Sequence, residues 1–378
     1  MSNLTARYPT EHLFEMIVTM LVLALALSNP VAATQTSGHV DVNRAFNYVV
    51  VLVMENHGLR DVISTSSAPF MNQLAASYSL AVNYTAIDHP SLPNYLGLIS
   101  GQDFSSWSSS DCSPRPGCSA GSAPNLVDSL EDRGLTWKSY MEDYPSTCGS
   151  HCSPADCFTG DGGTGLYAAR HDPFVYFDDI VNSTARCSRI VPANSGVSGS
   201  PDDLFLSDLS SPSTASNFMW LTPNSCNDTH GFTYQNGTVR CTDSISIGDN
   251  YLSQLVPKIL ASKLFTHQKA ALFITFDEGN TRYPYDYVYS VWAGRVVKSD
   301  FVSSNHYSHY SLLSTLETVW HLKPLTSNDA NAPAMTEFFV AHNHGQNGHP
   351  ELRDERNEPR KADILTNDHD QWSSDDFR

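Results

Sequence analysis

The sequence Tyr48-Val-Val-Val-Leu-Val-Met54 decides the fold class, and Ala270-Ala-Leu-Phe-Ile-Thr-Phe276 repeats its character far along the chain. Both runs are apolar almost throughout, which is typical of strands that are buried on both faces of a parallel sheet. Pro69–Tyr78 and Ile247–Leu264 have the spacing of helices, and Asn217–Thr222 has that of a further strand. Because strands alternate with helices, the sequence predicts an α/β fold with a mostly parallel central sheet flanked by helices.

Polar residues follow both runs at the point where each strand is expected to end. Glu55 and Asn56 come directly after the first run, and Asp277 and Glu278 come directly after the second. The carboxyl ends of parallel strands meet at one edge of the sheet, where open α/β folds place their sites. Three carboxylates gathered there would repel one another, so we expect them to bind a divalent metal ion. For each pair alone, the alternative is a helix cap or a surface turn.

A candidate nucleophile lies in the segment His89-Pro-Ser-Leu-Pro-Asn-Tyr95. Pro93 is expected in the first turn of a helix, so Ser91 would lie near a helix N-terminus, where anions are favoured. The serine has no Gly-x-Ser-x-Gly elbow and no adjacent general base, so a bound metal ion would have to activate its hydroxyl. Asn94 is then expected to donate to a phosphoryl oxygen. The alternative is a proline-rich turn that caps a helix.

Three histidines are candidates for contacts with a phosphate group or with a second metal ion. His230 follows Asp228, an expected metal ligand, at a strand end; His309 precedes a helix; and His171 lies in a loop. Protonated histidines would bind a phosphate dianion best and would favour an optimum below neutral pH, since free histidine titrates near about pH 6.5. Histidines that bind a second metal ion would instead be neutral. For His171, a phosphate contact and a plain loop position fit the sequence equally well.

The chain is expected to comprise three parts. Residues 1–33 contain a short apolar run followed by small residues, which predicts a secretory signal peptide, with a membrane anchor as the alternative. Residues 34–340 would form the catalytic domain. Residues 341–378 are rich in Asp, Glu and Asn without apolar periodicity, which predicts an acidic, disordered tail. The protein is therefore expected outside the cell, either secreted or in the cell wall.

Cysteines, sequons and charge constrain the environment and the partners. The eight cysteines predict up to four disulfides in loop insertions, in preference to a zinc knuckle. The sequons that predict a glycoprotein lie at Asn83, Asn182, Asn227 and Asn236. A net charge of −18 argues against a nucleic-acid partner and against stable association with anionic membranes. The expected partner is a small-molecule phosphate ester.

Taken together, the motifs resemble those of the acid phosphatase/phospholipase C-type phosphoesterase family, in the alkaline-phosphatase-like superfamily. They are Val53-Met-Glu-Asn56, His89-Pro-Ser-Leu-Pro-Asn-Tyr95, Asn227-Asp-Thr-His230, Phe276-Asp-Glu-Gly279 and His309-Tyr-Ser-Leu-Leu313. The resemblance covers roughly residues 45–325. It implies an alkaline-phosphatase-like fold and a metal-dependent phosphoesterase with a covalent phosphoserine intermediate on Ser91.

The resemblance also implies how the site residues are grouped. One metal ion would be held by Glu55, Asn56, Ser91, Asp277 and Glu278. A second ion would have the mixed ligands Asp228, His230 and His309. Alternatively, a single ion would be present and the histidines would bind phosphate directly. The chain departs from the superfamily in having Glu-Asn where Asp is the usual first ligand, and Glu278 where a histidine is common. The ion would be Ca²⁺, Mg²⁺, Mn²⁺ or Zn²⁺.

We therefore expect a secreted, metal-dependent acid phosphatase that hydrolyses phosphomonoesters. The alternative within the family is a phospholipase C or a phosphodiesterase. A sulfatase is disfavoured because no cysteine has the Cys-x-Pro-x-Arg context. A catalytically inactive secreted glycoprotein is disfavoured because Ser91, Asp228, His230 and Asp277 are all present.

Overall fold

The structure is a computed structural model that describes residues 45–147, 149–161, 166–195, 201–279 and 286–340. The expected signal peptide (1–33) and acidic tail (341–378) lie outside the described residues. The described strands are β1 (Tyr48–Met54), β2 (Ser79–Ala81), β3 (Tyr84–Thr85), β4 (Trp137–Met141), β5 (Ile190–Pro192), β6 (Phe218–Thr222), β7 (Phe232–Thr233), β8 (Val239–Cys241), β9 (Ala270–Phe276), β10 (Ser290–Ala293), β11 (Phe301–Ser303) and β12 (Tyr307–Ser308).

The helices connect these strands and cover the sheet. The described α-helices are α1 (Leu59–Val62), α2 (Pro69–Ser77), α3 (Ser91–Ser100), α4 (Ser105–Ser108), α5 (Leu126–Asp132), α6 (Asp178–Val181), α7 (Thr184–Cys187), α8 (Asp203–Asp208), α9 (Ile245–Ala261), α10 (Lys263–His267), α11 (His309–Trp320) and α12 (Ser327–Asn331). Short 3-10 helices span Gly149–His151, Ala169–His171, Pro173–Tyr176 and Thr336–Phe338.

The central sheet has eight strands in the order β11-β2-β10-β9-β1-β6-β4-β5. Strand β1 runs parallel to both β6 and β9, whereas β10 runs antiparallel to its neighbours β9 and β2. The remaining pairings in the sheet, β4 with β5 and β6 and β11 with β2, are parallel. The predicted α/β fold with a mostly parallel central sheet is therefore confirmed.

The apolar sequences of the central strands explain why they lie in the core. All residues of β9 and all but the first of β1 are buried, as expected for central strands covered by helices on both faces. The register pairs Met54 with Phe276, so the two strands end level with each other. The predicted helix over Ile247–Leu264 is interrupted at Ser262, because this extended residue ends α9 and its side chain caps the first turn of α10.

Disulfides close loops outside the sheet, as predicted. Three bridges join described residues, namely Cys112–Cys118, Cys157–Cys187 and Cys226–Cys241. The last of these spans 15 residues and encloses the polar loop that follows β6. The structure therefore contains disulfide-rich loop insertions, and these bridged cysteines do not form a zinc knuckle.

Candidate active site

Three strand ends bring the acidic residues together. Glu55, after β1, donates its backbone N–H to the Asp228 carbonyl at 2.8 Å, and Asp277, after β9, donates to the Met54 carbonyl at 2.9 Å. The backbone of Asn56 adopts φ +61° and donates to Asp277 Oδ1 at 3.1 Å. The parallel register thus gathers the carboxylates of Glu55, Asp228 and Asp277 at one edge of the sheet, and all three are fully buried.

Ser91 is the first residue of α3 and faces this edge. Its hydroxyl donates to Glu55 Oε2 at 3.1 Å, and one turn later the Tyr95 hydroxyl donates to Glu55 Oε1 at 2.7 Å. Pro93 lies in the first turn, as expected, where its missing N–H leaves no hydrogen bond unmade. The predicted serine and the predicted carboxylate Glu55 are therefore in direct contact.

His171 and His230 complete the cluster. His171 lies with Nε2 3.1 Å from Glu55 Oε1 and Nδ1 3.3 Å from Asp228 Oδ2, and its ring stacks on Tyr95. His230 Nδ1 lies 2.9 Å from the Gly231 carbonyl, which can only accept, so Nδ1 carries the proton and Nε2 offers a lone pair. One ligand atom each from Glu55, His171 and His230 lie within 4.8 Å of one another.

The electrostatics of the cluster favour a bound cation. Burial, together with repulsion from neighbouring carboxylates, raises the pKa values of Glu55, Asp228 and Asp277 well above their ordinary range. The buried atom Asp277 Oδ2 has no hydrogen-bond partner, and the contacts of His171 Nε2 with Glu55 and of Asp228 Oδ2 with His171 lack hydrogen-bond geometry. A cation among these groups would favour the ionised carboxylates and give these atoms a partner, so the residues fit a divalent metal ion.

Burial disfavours the protonated form of both histidines. It lowers the pKa of His171 well below its ordinary value and also lowers the pKa of His230. The predicted alternative with neutral histidines as metal ligands fits this direction, and the contact of protonated histidines with phosphate stays a prediction. Arg170 adds a positive charge beside the cluster, since a guanidinium stays protonated.

His309 reaches the site indirectly. It is fully buried, with Nε2 2.5 Å from the Asp277 carbonyl and Nδ1 3.2 Å from the Tyr84 hydroxyl. Burial lowers its pKa to about 4, and both ring nitrogens already have partners. The ring nitrogens thus contact the protein at Asp277 and Tyr84, and the predicted contact with phosphate or metal stays a prediction.

The side chain of Asn94 likewise forms hydrogen bonds within the protein. Its Oδ1 accepts from the backbone N–H groups of Ile87 and Asp88 at 2.9 and 3.2 Å, and its Nδ2 donates to the Asp88 carbonyl at 2.6 Å. The amide thus anchors the loop before Ser91 to α3. Its Nδ2 also lies 3.4 Å from Glu278 Oε2, and its predicted contact with a phosphoryl oxygen stays a prediction.

Glu278 lies beside the cluster and pairs with a histidine. His89 Nδ1 is 2.9 Å from Glu278 Oε2, and His89 Nε2 is 2.9 Å from Asp286 Oδ2. Burial by itself would lower the pKa of His89, but the Asp286 and Glu278 carboxylates raise it to about 9. The predicted ligand Glu278 is therefore neutralised by a protonated histidine, because the chain folds His89 between two carboxylates.

Sequence reasoning missed Arg170 and Asp111. Arg170 Nε lies 3.4 Å from Asp111 Oδ2, and Arg170 Nη2 lies 3.4 Å from His230 Nε2. Asp111 Oδ1 accepts the backbone N–H of Leu92 at 3.0 Å, in the first turn of the helix that Ser91 begins. Arg170 could have been suspected from its position before His171, whereas nothing in the sequence singles out Asp111.

The chain is similar to the phosphatidylinositol-3-phosphatase of Mycobacterium tuberculosis, with 29% identity over 296 residues, 78% of this chain and 83% of the relative. It is similar to a probable acid phosphatase of Kluyveromyces lactis (26% identity, 76% of this chain, 61% of the relative). It is also similar to the phosphate-repressible acid phosphatase of Penicillium chrysogenum (26%, 69% and 57%). The chain thus spans less than two thirds of these fungal relatives.

Two solved structures are similar to the chain at low identity. A protein in the alkaline phosphatase superfamily from Vibrio parahaemolyticus is 13% identical, with a TM-score of 0.48 over 76% of this chain and 70% of that chain. Murine ectonucleotide pyrophosphatase/phosphodiesterase 5 is 11% identical, with a TM-score of 0.47 over 74% of this chain and 96% of that chain. The sequence model of the Phosphoesterase family matches residues 60–323, more than half of the chain. The chain therefore belongs to the Phosphoesterase family and is a phosphoric ester hydrolase.

Proposed function

We propose that the protein is a metal-dependent acid phosphatase that hydrolyses phosphomonoesters through a phosphoserine on Ser91. The observation that carries the proposal is the contact of the Ser91 hydroxyl with Glu55 inside a buried cluster of carboxylates and histidines. The similarity to fungal acid phosphatases supports the reaction class. The name of the mycobacterial relative supports a phosphomonoester substrate as well, since a phosphatidylinositol 3-phosphate is one.

Glu55, His171 and His230 are the residues that would hold the metal ion, with the carboxylate oxygens of Asp228 and Asp277 beside them. A mixed set of imidazole nitrogens and carboxylate oxygens suits Zn²⁺ or Mn²⁺ better than Ca²⁺ or Mg²⁺. When bound, the ion would supply positive charge that stabilises the phosphoryl oxygens.

The protein groups account for the proton and the nucleophile. Ser91 Oγ forms a bond to phosphorus while the ester P–O bond breaks and the alcohol leaves. The Ser91 proton passes to Glu55, which already accepts it in a hydrogen bond, and from Glu55 to the departing alkoxide, so the alcohol leaves neutral and Glu55 returns to its carboxylate form. Water then attacks the phosphoserine, which releases phosphate and restores the Ser91 hydroxyl. Arg170, fixed by Asp111, is the residue that would bind non-bridging oxygens.

We also propose that the protein is exported. The disulfides support an oxidising compartment, and the apolar run within residues 1–33 supports a signal peptide, followed by a catalytic domain over 34–340 and an acidic tail over 341–378. Among the described helices, none combines the length and apolarity needed to cross a bilayer.

The test is release of the alcohol from a generic aryl phosphate by the wild type, by Ser91→Ala and by the exposed control Ser110→Ala. Ser91→Ala should lose at least about 10³-fold in rate, roughly 4 kcal/mol of barrier, while the control keeps its rate. A chelator should abolish wild-type turnover, and acid quenching should trap one phosphoryl group on Ser91. Near-normal activity of Ser91→Ala would remove Ser91 from the mechanism. Faster hydrolysis of dispersed phosphatidylcholine would favour a phospholipase C.

A further inference from the structure

A buried carboxylate outside the cluster holds the loop that follows β6. Glu142 comes directly after β4 and is 6% exposed. Its Oε2 accepts the backbone N–H of Asn224 at 2.9 Å, and both of its oxygens accept from Asn227 Nδ2 at 2.8 Å. Both oxygens act as acceptors of N–H groups in this arrangement. Glu142 thus binds this loop through its backbone and through a side chain.

The same loop carries two residues of the candidate metal cluster. Asn227 directly precedes Asp228, whose N–H donates to the Asn224 carbonyl at 2.9 Å. Asp228 Oδ1 in turn accepts the backbone N–H of His230 at 2.8 Å. The direction of the Asp228 and His230 side chains therefore depends on a backbone that Glu142 holds at Asn224 and Asn227.

We propose that Glu142 and Asn227 are positioning residues that orient Asp228 and His230 for metal binding. This inference rests on the proposed function, since it assumes that the cluster binds a metal ion. Residues that hold metal ligands in place typically change metal affinity by about 10–100-fold when they are replaced. Asn227 also begins a sequon, and a glycan on Nδ2 would replace a hydrogen that this half-buried amide uses toward Glu142.

The pair can be tested by exchanging donor and acceptor. In Glu142→Gln, an amide replaces the carboxylate that accepts from the Asn227 amide. In Asn227→Asp, a carboxylate replaces the amide that donates to Glu142. In the double variant, the amide of residue 142 donates to the carboxylate of residue 227, while the remaining oxygen of residue 142 accepts from Asn224. The double variant also has the net charge of the wild type. The matched control is Asn236→Asp, the same change at an exposed sequon.

The measurements are Mn²⁺ affinity by calorimetry, kcat/KM for an aryl phosphate and the melting temperature. We expect each single variant to bind Mn²⁺ at least about 10-fold more weakly, and the double variant to regain most of this loss. The control should match the wild type. If a single variant does not fold, Asn227→Ala takes its place, because it removes the donor without adding a charge.

Two results would overturn the inference. Unchanged Mn²⁺ affinity in both single variants would show that the loop keeps its geometry without this pair. Losses that add in the double variant would show that the two residues act independently. A wild type that neither binds Mn²⁺ nor hydrolyses the aryl phosphate would contradict the proposed function itself, and this inference would fall with it.

Discussion

At the residue scale, Arg170 provides the positive charge of the site that does not depend on pH. Asp111 fixes the Nε edge of its guanidinium, which leaves the Nη atoms turned toward His230. Asp111 also caps the first turn of the helix that begins at Ser91, so one carboxylate connects the arginine to the nucleophile. A guanidinium held in this way can bind two non-bridging oxygens, and its positive charge favours the terminal phosphoryl group of a monoester, which carries a second negative charge that a diester lacks.

Arg170→Gln should therefore reduce selectivity for monoesters. We expect kcat/KM for an aryl phosphate to fall by about 10²-fold, as for loss of one donor to a developing charge, and kcat/KM for a bis-aryl phosphate to fall much less. The exposed Arg60→Gln is the matched control. The check is the ratio of the two kcat/KM values; an unchanged ratio in Arg170→Gln would mean that the arginine does not read the second negative charge.

At the scale of elements, the loop between β6 and α9 is constrained from two sides. Glu142 holds its first part, and the Cys226–Cys241 bridge encloses Asp228 and His230. Closing a loop of this length removes conformational freedom from the unfolded chain and keeps the ligands near one another in the folded one. The disulfide is thus expected to support both stability and metal binding.

Replacing Cys226 and Cys241 by serine should cost about 3 kcal/mol in the free energy of unfolding and should also weaken Mn²⁺ binding. The bridge Cys112–Cys118 provides the comparison, because it encloses no residue of the metal cluster, so its removal should lower stability without changing Mn²⁺ affinity. Urea unfolding and calorimetry measure the two effects. Equal Mn²⁺ affinity in both double-serine variants would limit the role of Cys226–Cys241 to stability.

At the scale of the whole molecule, buried carboxyl groups with raised pKa values make the folded state more stable at acidic pH than at alkaline pH. Away from the site, Glu317 on α11 adjoins Asp329 on α12, and Glu317 Oε1 is buried without a hydrogen-bond partner. Burial, together with Asp329, raises the pKa of Glu317 to about 9. The folded protein therefore keeps a proton on Glu317 at a pH where a free glutamate, with a pKa of about 4.3, has lost it.

The pH dependence of stability follows from this difference. Between about pH 4.3 and the folded-state pKa of about 9, the folded state holds a proton that the unfolded state has released, so rising pH lowers the free energy of unfolding. Glu317→Gln keeps an amide donor toward Asp329 and removes the titration. We expect the melting temperature of the wild type to fall more between pH 5 and pH 8, as rough endpoints, than that of the variant. Parallel curves would contradict this.

The central strands and the polar residues at their ends could be predicted from local patterns of residues. The runs that became β1 and β9 are apolar enough to be recognised locally, and Glu55 and Asp277 follow them directly. Ser91 was recognisable because the proline two residues later marks the start of a helix. These inferences succeed because burial and helix initiation depend on neighbouring residues in the chain.

The contacts of each polar side chain could not be predicted in this way, because they depend on how the chain folds. Glu278 contacts His89 and not Glu55. The two ring nitrogens of His309 contact the Asp277 carbonyl and the Tyr84 hydroxyl. Glu142 joins the site region from a different strand end, through amides that lie more than 80 residues away. The physical reason is that hydrogen-bond partners and pKa values depend on distances and burial across the sheet edge, which no local pattern of residues encodes.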